Sequence, residues 1–361
     1  MQVSRTVLVN TLKQVVAFIP KVKSSDSANV LHIEPLENSI KLTLAYPEAS
    51  IQITVGALSN PSENKIRING SKFLSIVAAA DREIVFSSDG IFTEIRSGTS
   101  MWKEPLVNTS TPSIVHSEDK VCDVSGYSLL TAFNTVKYAI DSDSVRPALF
   151  MVDVNSGRVR ACNGFQYHEV STDKPDLSFS VPGGMVDSFC SVLRFFDGNI
   201  EFFESDECYT FKNKNTLITI KKLSAKFPDL DKLLVRPLKS DVPALLQVEK
   251  APLVSAIKRV RLVLDDNYPY IEMHINKSEI LVRGTQKSGA EAVTAVPASW
   301  ASKPRVATFN VKHLLQTLVN INDDQLELRF GQDTKSKKSP MVMEGSGSWT
   351  MLNQSNLAKR A

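Results

Sequence analysis

The sequence predicts an α+β fold assembled from three copies of one unit of roughly 120 residues, each copy placing two helices on mostly antiparallel sheet. Three observations predict it. A helical pattern recurs at near-constant spacing, a second helix recurs within each unit, and alternating strands fill the intervals.

The first helix of each unit shows an apolar face at helical period. Leu8, Leu12, Val15, Val16 and Ile19 form it in the first unit, Leu129, Phe133, Val136 and Ile140 in the second, and Leu253, Ile257, Val260 and Leu264 in the third. The anchors Leu8, Leu129 and Leu253 stand 121 and 124 positions apart. The second helix is entered from Ile68-Asn69-Gly70-Ser71, Val181-Pro182-Gly183-Gly184 and Phe309-Asn310-Val311-Lys312. An alternating strand follows each time, anchored at Ile84, Ile200 and Leu326 with steps of 116 and 126. Between the helices lie hairpin signals. They are Ile40–Leu44 with Ser50–Val55, Leu149–Val154 with Arg158–Ala161, and Tyr270–Ile275 with Glu279–Val282. The pattern relaxes at Val107–Ser113 and again at Arg236–Pro243, so domains are expected over 1–118, 119–242 and 243–361.

Composition is that of an ordinary globular chain: 361 residues, 42% hydrophobic and 22% charged. No apolar run approaches the ~20 residues of a membrane span, and the N-terminus lacks a signal-peptide core. A soluble, cytoplasmic chain with no membrane partner is expected. The cysteines Cys122, Cys162, Cys190 and Cys208 are dispersed, with no CxxC and no histidine at ligand spacing. They read as small buried apolar residues in a reducing compartment, and neither metal nor cofactor is expected.

Net charge is only +3, so any nucleic-acid affinity requires its positive charge on one surface. The helix faces opposite the core carry such charge. Lys13 lies on the first helix with Lys21 and Lys23 beyond it; Lys137 lies on the third helix, and Lys258, Arg259 and Arg261 on the fifth. Second helices add Lys72, Arg194 and Lys312. Acidic residues gather elsewhere, as at Asp141-Ser142-Asp143, Asp265-Asp266 and Asp323-Asp324. Taken singly, each face also reads as solvated surface; together they suit sequence-independent phosphate binding.

No catalytic motif is present. Gly284–Gly289 does not fit GxxxxGK[ST] and reads as a hairpin turn, and neither GxSxG nor HExxH occurs. Lys335–Pro340 reads as an exposed loop. The chain is not expected to be an enzyme.

Four segments resemble the bacterial DNA sliding clamps, the DNA polymerase III β subunit family. Asp143–Leu149 is similar to its DVRYYL segment, and Val159–Tyr167 to its VATDGHRLA hairpin. Lys226–Leu230 with Leu233–Pro237 is similar to GRFPDYRRVLP, and Phe309–Leu315 to FNVxYLLD. The resemblance spans the chain and is best from about Val121 onward. Two departures stand out. Asn163-Gly164-Phe165-Gln166 replaces aspartate-glycine-histidine-arginine, and Trp349–Gln354 replaces a methionine-proline ending. Both stretches belong to the family's partner pocket, so partner specificity stays open, and the divergence suits a phage- or mobile-element-encoded member.

The resemblance implies a DNA clamp fold in which a head-to-tail homodimer closes into a ring around double-stranded DNA. It implies a processivity factor for DNA replication that tethers a DNA polymerase, and meets a clamp loader, through short peptide motifs. Carried over residue by residue, the peptide pocket comprises Arg146, Leu149, Cys162, Gly164, Phe165, Tyr167, Pro237, Val242, Met351 and Leu352. The apolar members equally suit an ordinary core. Two other readings remain: a DNA-binding scaffold without ring closure, and a virion structural protein.

Overall fold

A computed structural model describes residues 1–20, 29–59, 64–81, 83–107, 115–141, 145–230, 244–330, 340–345 and 348–354. One element order occurs three times along the chain. First come β1 (Gln2–Ser4), α1 (Arg5–Ala17), β2 (Val30–Pro35), β3 (Ser39–Ala45), β4 (Ala49–Gly56), β5 (Ile66–Asn69), α2 (Gly70–Ala79), β6 (Glu83–Ser88), β7 (Phe92–Ser97) and β8 (Ser100–Pro105). Next come β9 (Lys120–Ser125), α3 (Gly126–Val136), β10 (Met151–Asn155), β11 (Arg158–Cys162), β12 (Gln166–Ser171), β13 (Phe179–Pro182), α4 (Gly183–Leu193), β14 (Asn199–Glu204), β15 (Cys208–Asn213) and β16 (Thr216–Lys221). Last come β17 (Ala244–Glu249), α5 (Lys250–Val260), β18 (Tyr270–Ile275), β19 (Glu279–Thr285), β20 (Glu291–Trp300), β21 (Arg305–Asn310), α6 (Val311–Val319), β22 (Gln325–Phe330), β23 (Met341–Gly345) and β24 (Ser348–Leu352).

Local chemistry accounts for the helix boundaries. Asn69 caps α2 by accepting from the Lys72 amide, and Asn310 caps α6 by accepting from the amides of Lys312 and His313. The first helix ends at Ala17 because the Phe18 and Ile19 amides turn back to the carbonyls of Val15 and Val16, and Pro20 follows. Leu149, expected to begin a strand, instead sits in a turn. Its amide and that of Phe150 both donate to the Arg146 carbonyl, so β10 starts at Met151.

The chain divides into two compact units: 1–133 with 174–224, and 134–173 with 225–361. In the first unit a small sheet runs β1-β6-β7-β8 and a larger one β5-β2-β3-β4-β16-β15-β14-β9. Helix α1 packs on α2, α4 and β4. An aromatic cluster of Phe133, Phe179, Phe189, Phe202 and Phe211 fills part of this core. In the second unit the strands run β10-β11-β12-β24-β23-β22-β17-β20-β19-β18-β21. There α5 packs on α6 and β20, over Leu253, Ile257, Val260, Leu314 and Leu318.

Two strand pairs join segments more than 150 residues apart among the described residues. In the first unit β4 pairs antiparallel with β16, Ile53 opposite Thr216. In the second unit β12 pairs antiparallel with β24, Tyr167 opposite Met351.

Candidate functional site

The β12–β24 junction presents one apolar face. Strand alternation puts Cys162, Tyr167, Trp349 and Met351 on the same side, joined by Val342, with Leu230, Phe227 and Leu149 packed over them. The Tyr167 and Trp349 rings meet edge to face with centroids 5.4 Å apart. Tyr167 is only 1% exposed, and its hydroxyl donates to Glu169 over 2.6 Å. Charges border the apolar cluster. Arg158 pairs with Glu169 at 3.3 Å and Arg160 with Asp153 at 2.8 Å, while the Arg160 guanidinium lies over the Phe227 ring. Burial pushes the Asp153 carboxyl up despite the Arg160 hydrogen bond, and pushes the Cys162 thiol up as well.

The β11–β12 turn is anchored on three sides. Asn163 accepts from the amides of Phe165 and Gln166, and Gly164 adopts φ +86°. Buried Gln166 donates to the His313 carbonyl and the Thr317 hydroxyl of α6. Asn353 donates its backbone N–H to the Phe165 carbonyl and its side-chain amide to the Gly164 carbonyl.

The opposite face of this junction is a buried polar seam. His168 stands across from Thr350, and its Nδ1 lies 3.1 Å from the Tyr138 hydroxyl. Among the described residues, its Nε2 and the Thr350 hydroxyl have no hydrogen-bond partner. Burial lowers the His168 pKa to about 3 and pushes the Tyr138 phenol up. Burial, then Lys312, lowers that of His313.

Of the expected pocket residues, the fold brings together Leu149, Cys162, Tyr167 and Met351. Gly164 and Arg146 lie beside one another, a Cβ on Gly164 falling 3.5 Å from Arg146 Nη1, and Arg146 pairs with Asp141 at 2.6 Å. Leu352 requires correction. Adjacent strand residues point oppositely, so it packs into the core beneath α5 and α6 rather than beside Tyr167. Phe165 is also displaced from the apolar cluster: it is 58% exposed, and its ring lies tilted against that of His313 with centroids 5.5 Å apart. Pro237 and Val242 lie outside the described residues. Sequence reading missed Val342 and placed Trp349 only within a pocket stretch, without naming it as a pocket residue. Trp349 stands two residues before Met351 in an alternating strand, which is the signal that finds it.

Of the basic residues, Lys13, Arg194, Lys258, Arg259, Arg261 and Lys312 are exposed. Lys258 and Arg259 occupy the last turn of α5, where the helix dipole favours cations. Arg261 and Lys312 share a cleft of about 160 Å³ with Asp265, Asp266 and Asn310, so this charge is partly offset. Lys72 also departs from expectation: Glu104 holds its ammonium at 2.6 Å. Lys137 is half-buried in a 3₁₀ turn closing α3. Lys21, Lys23 and 335–339 lie outside the described residues. Cys122 is half-buried, whereas the other three cysteines are buried.

Among the described residues, no cluster of His, Cys, Asp or Glu is arranged to hold a metal, and no helix is long and apolar enough to cross a membrane. The apolar cluster itself is buried beneath Leu149, Phe227 and Leu230, with paired charges at its border.

Residues 238–346 match the family described as DNA polymerase III beta subunit, C-terminal domain. The chain is 24% identical over 253 residues to the beta sliding clamp of Helicobacter pylori strain J99, a match covering 64% of this chain and 66% of that protein. It is 21% identical over 360 residues to the beta sliding clamp of Streptomyces coelicolor, covering 95% and 93%. Its fold matches the crystal structure of a DNA polymerase sliding clamp from Pseudomonas aeruginosa with TM-score 0.87 and 16% identity, covering 99% of both chains. The three-unit α+β clamp fold is therefore this chain's fold.

Proposed function

We infer that this chain, a divergent member of the bacterial DNA sliding clamps, is a polymerase processivity factor in DNA replication. The observation that carries the reading is the end-to-end likeness of fold, covering 99% of this chain and of the Pseudomonas clamp. The domain-level match over 238–346 and the curated relatives support it. The curated relatives, both beta sliding clamps, favour this reading over a scaffold without a ring or a virion protein.

In this reading the domains run over 1–118, 119–242 and 243–361, and two copies close head to tail around duplex DNA. The ring holds DNA by topology, and its cations make diffuse phosphate contacts that permit sliding. The lining is Lys13, Arg194, Lys258, Arg259, Arg261 and Lys312, with Lys137 and the ion-paired Lys72 contributing less. Base-specific contacts would oppose sliding. The β12–β24 face receives a short peptide of a polymerase or clamp loader over Leu149, Cys162, Tyr167, Trp349 and Met351, with Gly164, Phe165 and Arg146 at its edge. The chain performs no catalysis and works in the cytoplasm. Its mechanism is effective concentration: a tethered polymerase rebinds its template before it diffuses away.

The test is retention on DNA after loading. The protein is expected to remain on closed circular duplex through a high-salt wash and to slide off once the circle is linearised. Equal loss from both forms refutes topological binding. Sedimentation is expected to give about 80 kDa, twice the 39.9 kDa of one chain.

A further inference from the structure

We propose that the segment 225–230 is an internal ligand of the β12–β24 face, and that a partner peptide displaces it with an aromatic and an aliphatic side chain of its own. This deepens the peptide-docking reading above and rests on it.

The face is covered by the chain itself. Cys162, Tyr167, Val342, Trp349 and Met351 are all buried, and Leu149, Phe227 and Leu230 pack over them. A peptide reaches this surface only when one of the covering residues leaves it.

The two covers are held differently. Leu149 sits in a hydrogen-bonded turn: its amide donates to the Arg146 carbonyl, and its carbonyl accepts from the Asp141 amide. The segment 225–230 belongs to no strand among the described residues, and Pro228 has no amide proton to donate. The bond from the Leu230 amide to the Pro228 carbonyl closes within the segment and does not tie it to the face. Phe227 and Leu230 are the side chains that seat it there. Backbone outside a strand ladder opens at lower free energy than a paired strand, so this cover is the one that moves.

The seat defines the chemistry of its replacement. Leu230 is 5% exposed and belongs to the apolar cluster. The Arg160 guanidinium lies over the Phe227 ring, 5.0 Å from its centroid. Arg160 is itself 5% exposed and is paired with Asp153 at 2.8 Å, so the guanidinium stays in place when Phe227 departs. The departing ring uncovers the face of a desolvated cation, which another aromatic ring fills best. The departing Leu230 uncovers apolar surface, which an aliphatic side chain fills.

An internal occupant lowers the apparent affinity for an external one in proportion to the fraction of molecules whose face is open. Weakening that occupant therefore tightens partner binding. Losing a residue on which the partner rests does the opposite.

The probe is the segment itself, a fluorescein-labelled hexapeptide of residues Ala225–Leu230 added to the full chain and followed by anisotropy. Phe227→Ser with Leu230→Ser unseats the internal copy, and this double variant is expected to bind the hexapeptide at least tenfold more tightly than wild type. Pro228→Gly keeps both anchors and gives the open segment more conformational freedom; it is expected to tighten binding about threefold. Should the double variant fail to fold by circular dichroism, Pro228→Gly alone decides. Equal binding to wild type and variants, or tighter binding to wild type, overturns the internal ligand, and so does a hexapeptide that binds none of them. Where binding is equal and Trp349→Ala weakens it at least tenfold, the docking reading stands without the internal ligand. Tight binding to the released chain that Trp349→Ala leaves unchanged places the peptide elsewhere and overturns both.

Discussion

The buried imidazole of His168 makes the β12–β24 junction acid-sensitive by an amount that follows from its surroundings. Burial among Tyr138, Thr350 and the strand backbone lowers its pKa from an ordinary 6.5 to about 3. The unfolded chain therefore takes up a proton near pH 6.5, and the native one does not until about pH 3. Stability contributed by the neutral form is complete above pH 6.5 and is lost as the pH falls towards 3. Each pH unit in that window costs about 1.4 kcal/mol, or about 5 kcal/mol across it. The perturbation is His168→Leu, which removes the titration. It also takes a partner from the Tyr138 hydroxyl, a cost that does not vary with pH in this range. Urea unfolding followed by tryptophan fluorescence, with Trp300 and Trp349 both in the second unit, supplies the measurement. The stability difference between wild type and variant is expected to shift towards the variant by about 2.3 kcal/mol between pH 6.5 and 4.5. Parallel pH profiles for the two proteins would refute the argument.

Three further outcomes are expected. Leu352→Ala opens a cavity under α5 and α6 and costs about 2–5 kcal/mol in the same urea experiment, because its side chain belongs to that core. Gly164→Ala costs about 1–2 kcal/mol through its φ of +86° and weakens a clamp-binding peptide in calorimetry, since the turn borders the proposed pocket. Replacing Lys258, Arg259 and Arg261 together by alanine weakens duplex binding uniformly across sequences. It lowers the slope of log K against log salt by about 2.7, near 0.9 per lost phosphate contact.

The element order was legible in the chain because side-chain periodicity is a local property. Leu8, Leu12 and Val15 define a helix face by spacing alone, and Ser156-Gly157 closes a two-residue hairpin through positive φ at both residues. The clamp likeness was legible in short segments around Asn163 and Phe309. Part of the pocket was readable for the same reason, since Cys162 and Tyr167 belong to a hairpin whose pairing is set by its turn. What sits across from that hairpin was not readable. Met351 joins Tyr167 and Leu352 turns away only because β24 arrives in one register from far along the chain, a choice made by burial on both faces of the junction. Lys72 looked like a free cation because Glu104 is distant in sequence and adjacent only in space. That the Nε2 of His168 finds no partner among the described residues is likewise a property of the packed interior, not of the residues around it in sequence. The sequence by itself determined the repeated units, their helices and strands, and the fold they build, since these follow from local periodicity. Only the tertiary structure decided which side chains meet across strand junctions and which charges remain for a partner, because register and desolvation are settled between segments that the chain keeps far apart.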